Sequence, residues 1–232
     1  MDVDRILPAA IVVAIMLLVG FPIHEFSHAL AAYRLGDGTA KLFGRLTINP
    51  IAHFDPVGGV LLAITFIGSA ASGSAFGFGW AKPTPVNPMN LMYGRRGEAI
   101  VAAAGPISNL ILAAAAAIPL RYILANPALW NSIPAIIVHV DQFGFVTGIL
   151  PFFVLINLVL MVFNLIPVPP LDGSKVLFAF MDRRTEYQIR PILEQYGFFI
   201  LIIVFFLPPG NSLGSRVLLP IIDGFYTFLV GV

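Results

Sequence analysis

The stretch Phe21–Gly36, FPIHEFSHALAAYRLG, decides how this chain is read. It holds His24-Glu25-Phe26-Ser27-His28, an HExxH pattern. On a helix, positions i and i+4 share a face, so His24 and His28 are placed to hold one metal ion together. Glu25 lies beside that face, where it can take a proton from water at the metal. The motif closes a long apolar run, Ile6 to Gly20, of the kind that crosses a lipid bilayer. A single histidine in a core is ordinary. A His-Glu-His cluster in lipid is costly, and intramembrane ionisable groups are functional by default.

Composition extends this reading to the whole chain. The 232 residues are 58% hydrophobic and 11% charged, with a mean hydropathy of +0.91. A soluble domain averages about 25% charged residues. The expected fold is therefore an all-α polytopic membrane protein, with about five transmembrane helices, a re-entrant helix/strand unit and a small β element near the active site. Residues 1–232 are expected to form a single integral membrane domain, with a catalytic core over 6–182 and C-terminal spans over 187–231. The net charge of +1 argues against nucleic acid as a partner. There is no cysteine, so a metal must be held by His, Asp or Glu. The first apolar run carries the motif, so it is not expected to be a cleaved signal.

In chain order, 6–34 reads as one helix, kinked at Pro22 and leaving the membrane at Arg34. The histidines then sit roughly 9–15 Å below that surface. Residues 41–49, KLFGRLTIN, alternate polar and apolar and predict a strand. His53 follows, as a turn histidine or as a group near the metal. Residues 57–88 read as a helix in and an extended return, limited to an edge by Pro83, Pro85 and Pro88. Further spans are expected at 98–124, 144–166, 196–207 and 216–231, with Pro127, Asn131 and Pro134 in a loop and Pro208-Pro209-Gly210 dividing the last two.

Charge sets the orientation. With 57–88 re-entrant, Arg34, Lys41, Arg45, Lys82, Arg95, Arg96, Lys175, Arg183, Arg184 and Arg190 share one side, and Arg5, Arg121 and Arg216 take the other. The positive-inside rule puts the larger group, and with it the metal site, towards the cytoplasm of a multi-pass cell-membrane protein.

A catalytic zinc wants three protein ligands and one open position. His24 and His28 supply two. Asp172, after a proline-broken span, competes for the third place with Asp55 and Glu98. Asp223 falls within the last span and reads as a packing or relay residue. Asn109, Asn164 and His53 are candidates to stabilise an oxyanion or to bind substrate. An extended substrate would add along 41–49 or 78–87.

Three motifs in order, HEFSH (24–28), AGPISN (104–109) and NLIPVPPLDG (164–173), together resemble the site-2 protease family of intramembrane zinc metalloproteases. FGWAKPTPVNP (78–88) and NPIAHFDP (49–56) resemble its short prokaryotic branch, and the likeness covers about residues 20–180. The chain differs from larger members in having no PDZ-like insertion between 124 and 143. The resemblance implies His24, His28 and Asp172 as ligands of one zinc ion, Glu25 as the catalytic base and Asn164 as a substrate contact. It implies hydrolysis of peptide bonds within or near transmembrane segments, in regulated intramembrane proteolysis. The partners it implies are single-span membrane proteins and the bilayer. Two other classes share some of these features: a polytopic transporter and a catalytically silent zinc-binding scaffold. Glu25 favours the protease, since neither of those needs a base.

Overall fold

A computed structural model of the chain describes residues 10–11, 13–71, 77, 79–126, 149–206 and 213–231. The first helix, α1, runs Val13–Arg34. It widens into a π-helical stretch over Met16–Gly20, where the Phe21 N–H bonds to the Met16 carbonyl. Pro22 is the reason. It has no N–H for the Leu18 carbonyl and its ring crowds that turn, so the bonding pattern shifts by one residue. Regular α-helix resumes from Phe21 and carries the HExxH motif.

Two one-turn helices follow, α2 at Thr39–Leu42 and α3 at Pro50–His53. Next comes α4, Pro56–Ala71, and then a segment, 79–87, with neither helix nor strand. That segment returns along α4. A Cβ on Gly79 would meet Leu62 and Gly58, and one on Gly77 would meet Phe66, so these glycines allow the close approach. Phe76 and Phe78 of the expected extended return lie outside the described residues.

Helix α5, Arg95–Ala125, is the central element. It packs against α1, α6 (Leu150–Asn164), α7 (Asp172–Phe180) and α9 (Leu213–Val230). Its small residues Ala113, Ala116 and Ala117 let it approach Val154, Leu158 and Met161 of α6 and Ile222 of α9 closely. A second cluster joins Val13 and Met16 of α1 to Leu62 and Phe66 of α4 and Leu160 of α6. Helix α8, Arg183–Phe206, is tied to the start of α5 by Arg190, which reaches Glu98 at 3.3 Å and Glu186 at 3.2 Å. Arg95 pairs with Glu186.

The structure departs from the expected fold in two ways. The described residues are all-helical where regular, with no strand, so the small β element and the strand of the re-entrant unit are absent from them. In 41–49, turn chemistry overrides the alternation. Gly44 has φ +68, and the Arg45 N–H folds back to the Ala40 carbonyl. The Asn49 side chain then caps α3 through the Ile51 N–H. In 79–87, Pro83 and Pro85, with Pro88 just beyond, leave too few donors for a ladder.

The number of spans also differs from the expected one. Among the described residues two helices, Val13–Arg34 and Arg95–Ala125, are long and apolar enough to cross a membrane, rather than five. Helices α4 and α6 have 16 and 15 residues. At about 1.5 Å per residue, both fall short of a hydrocarbon core about 30 Å thick. The first half of α8, RRTEYQIRPILEQY, is too polar for the core, and α9 carries Arg216 and Asp223. Residues 127–148 and 207–212, including Pro127, Asn131, Pro134 and Pro208-Pro209-Gly210, lie outside the described residues.

Candidate metal centre

His24 and His28 lie one turn apart on the buried face of α1, their ring centroids 4.7 Å apart and edge to face. Each ring is fixed from behind through Nδ1. His28 Nδ1 is 2.7 Å from the Val101 carbonyl, so it must donate there. His24 Nδ1 is 2.6 Å from Asn109 Oδ1. Asn109 Nδ2 in turn donates to Asn157 Oδ1 at 3.0 Å, and Asn157 Nδ2 donates to the Phe153 carbonyl at 2.8 Å. Both asparagines are fully buried. This chain of bonds assigns the proton of each imidazole to Nδ1 and leaves both Nε2 atoms as lone-pair donors.

The two Nε2 atoms converge. They are 3.1 Å apart, and Asp172 Oδ2 lies 3.2 Å from that of His24 and 3.1 Å from that of His28. Three electron-pair donors thus face one another in a buried place, an arrangement that needs a cation between them. For metal–ligand bonds of about 2.0–2.1 Å, ligand atoms at tetrahedral corners lie about 3.3 Å apart. The residues therefore fit a zinc-sized ion.

The backbone explains how Asp172 arrives. Helix α6 stops at Asn164, the proline-rich turn follows, and Asp172 opens α7. A Cβ on Gly173 would lie 2.2 Å from the Leu165 carbonyl oxygen, so only glycine lets α7 start this close to the end of α6. Gly105 plays a similar part on α5. A Cβ there would sit 2.4 Å from His28 Nε2 and 2.6 Å from His24 Cε1, so the helix passes directly against the histidines.

Glu25 is half-buried beside the pair. Its carboxylate and the two imidazoles offer ligand atoms within 4.8 Å of one another. Its Oε2 accepts from the Thr84 N–H at 2.8 Å, and its carbonyl accepts from Thr84 Oγ1 at 3.0 Å. The central N–H of the expected 78–87 substrate edge is therefore already used. Of the competing acids, Asp55 caps α4 through the Val57 and Gly58 N–H groups, and Glu98 pairs with Arg190. Asp172 is the one brought to the histidines.

The remaining candidates are placed as follows. Asn109 stands behind His24, its amide committed to His24 and Asn157. Asn164 donates to the Leu160 carbonyl of its own helix at 2.9 Å. His53 is buried and donates through Nε2 to the Thr47 carbonyl at 2.7 Å, and its carbonyl accepts from the Lys82 N–H. Its Nδ1 has no partner. Asp223 is exposed on α9. Asn157, Gly105 and Thr84 enter the site from the structure. Asn157 is detectable in sequence only as a polar residue in an apolar run, and Gly105 only as part of the AGPISN motif.

The model of peptidase family M50 matches residues 11–206. The chain belongs to peptidase family M50. The M50 chain is 37% identical over 209 residues to a Bacillus subtilis (strain 168) protein named "Putative zinc metalloprotease YwhC", covering 90% of this chain and 84% of that one. Two mycobacterial proteins share the name "Putative zinc metalloprotease Rip2". That of Mycolicibacterium smegmatis is 30% identical over 194 residues and that of Mycobacterium tuberculosis (H37Rv) 28% over 195. In both cases 84% of this chain and 66% of the relative are covered. No solved structure matches. Family membership and the two long apolar helices make this a membrane protein and a peptidase of the site-2 protease kind.

Proposed function

We propose that this M50 chain is a zinc endopeptidase that cleaves single-span membrane proteins within or near their transmembrane segments, in regulated intramembrane proteolysis. The observation that carries the proposal is the set of three electron-pair donors, His24 Nε2, His28 Nε2 and Asp172 Oδ2, within 3.1–3.2 Å of one another beside Glu25. These three residues would hold one zinc ion per chain. Zinc, when bound, supplies Lewis acidity to the water and to the scissile carbonyl. Glu25 takes the proton as the water oxygen attacks the carbonyl carbon. It returns that proton to the amine nitrogen as the C–N bond breaks. The Asn109–Asn157 chain keeps His24 in its ligating tautomer, and the Val101 carbonyl does so for His28.

The site faces the cytoplasm of the cell membrane in this reading. The Met92 N–H bonds to the Leu35 carbonyl at 2.8 Å, so the end of one long apolar helix meets the start of the other. Arg34, Arg95 and Arg96 cluster at that end, which supports a cytoplasmic position.

The test is Glu25→Gln in detergent-purified protein, with a single-span membrane protein as substrate. Glu25 is outside the ligand set, so the variant should keep its zinc, stop cleaving and retain bound substrate. Cleavage near the wild-type rate would remove Glu25 as the base.

A further inference from the structure

The carboxylate of Glu25 is gripped by a residue far from the HExxH motif. Thr84 bonds to Glu25 twice, its N–H to Oε2 and its hydroxyl to the main-chain carbonyl. The hydroxyl seats Thr84 on the Glu25 main chain, and so aims the N–H that fixes which way the Glu25 carboxylate turns. No other hydrogen bond reaches the Glu25 side chain among the described residues, which leaves Oε1 free.

The flanking sequence stiffens this grip. Thr84 stands between Pro83 and Pro85, whose rings fix φ and which carry no N–H. A proline also holds the residue before it in an extended conformation, and Thr84 precedes Pro85. The Thr84 N–H is therefore the one main-chain donor in this tripeptide, on a backbone with little freedom. The segment is anchored on both sides as well. The Lys82 N–H donates to the His53 carbonyl at 2.8 Å, and the Asn87 N–H to Asp37 Oδ2 at 2.7 Å. Asp37 is itself held at the end of α1 by Thr39 and Asn90.

We propose that Thr84 is a positioning residue for the base, acting on the reaction through Glu25. The proposal rests on the reading of Glu25 as the group that takes the proton from water. With Oε2 tied to Thr84, Oε1 is the atom that receives and returns that proton. Catalytic groups have to be held within a fraction of an ångström to act, and a glutamate on a helix face has several rotamers. The 82–87 segment selects one of them.

The test compares Thr84→Val, which keeps the shape and the N–H but removes the hydroxyl, with Thr84→Ser, which restores it. Cleavage of a single-span membrane protein in detergent is followed over a range of substrate concentrations, with zinc content measured in each variant. Thr84→Val should lower kcat about five- to tenfold, the worth of one hydrogen bond expressed as rate, with KM within about twofold and zinc unchanged. Thr84→Ser should return kcat to within about twofold of wild type. An unchanged kcat in Thr84→Val would overturn the proposal. So would a raised KM with unchanged kcat, which would make Thr84 a substrate contact, or a loss that serine does not repair. Glu25→Gln measured alongside separates the two levels. If it is inert while Thr84→Val is fully active, the positioning role alone fails. If Glu25→Gln itself cleaves normally, the base assignment fails first.

Discussion

Gly105→Ala is a sharp test of how the metal centre is built. A methyl group at this position would begin 2.4 Å from His28 Nε2, 2.5 Å from His28 Cε1 and 2.6 Å from His24 Cε1. Ordinary contacts between such atoms start at about 3.5 Å, so one partner has to move by roughly 1 Å. Metal–ligand distances tolerate only about 0.2 Å. With metal bound, the imidazoles cannot yield and α5 carries the strain. Without metal, the rings are free to turn away. The strain, about 1–3 kcal/mol for overpacking of this kind, therefore falls on the bound state. Zinc affinity should drop by about 5- to 150-fold. Helix propensity alone would stabilise the fold, by about 1 kcal/mol for alanine in place of glycine, and leave zinc affinity unchanged. The assay is competition with a chromophoric chelator, with circular dichroism to confirm that helix content is kept. A variant with normal helix content and wild-type zinc affinity would refute the close approach of α5 to the histidines.

Two further outcomes follow from the groups around the centre. Asn157→Leu removes the acceptor of Asn109 and loosens the hold on His24, so zinc affinity should fall about 10- to 100-fold in the same competition assay, and an unchanged affinity would break this chain of bonds. Asp37 supplies the pH dependence: burial would raise its carboxyl, but bonds from Thr39, Asn87 and Asn90 outweigh burial and hold it low. Its contribution to stability is thus complete above the unfolded value of about 3.9 and lost as pH falls through the lowered folded value. The thermal unfolding midpoint in detergent should fall across that acid range in wild type. Asp37→Asn should be less stable at neutral pH and lack that component of the fall; a variant with the full acid-dependent fall would clear Asp37.

The ligand pair was legible because an i, i+4 spacing on a helix fixes geometry locally. Asp172 was legible in a weaker sense. Spacing left Asp55 and Glu98 beside it, and only the packing of α7 against α5, which brings Asp172 to the histidines, separates the three. The groups behind the histidines were not legible, because His24 and Asn109 are 85 positions apart and Asn109 and Asn157 are 48 apart. Sequence shows each asparagine as a polar residue in an apolar helix, which marks it as special without naming its partner. The expectation that Asn109 faces substrate and the finding that it faces His24 rest on the same sequence signal.

The fold was misjudged where local pattern and local chemistry disagreed. The alternation in 41–49 has the period of a strand, but Gly44 adopts φ +68 and the chain turns back there. Hydropathy counted spans well for α1 and α5, whose lengths exceed a bilayer core, and overcounted where helices are short or half charged. Within α5 the apolar signal even points away from the site. Ile100, Ile107, Ile111 and Ile118 recur at helical spacing and are all exposed, whereas Gly105, Ser108 and Asn109 face inward. A soluble helix places its apolar stripe inward. Here the outward stripe is what lipid would cover, so the few polar and small residues define the interior face. That inversion lets Asn109 stand behind His24 and Gly105 lie against both imidazoles, at positions a hydropathy profile treats as interruptions.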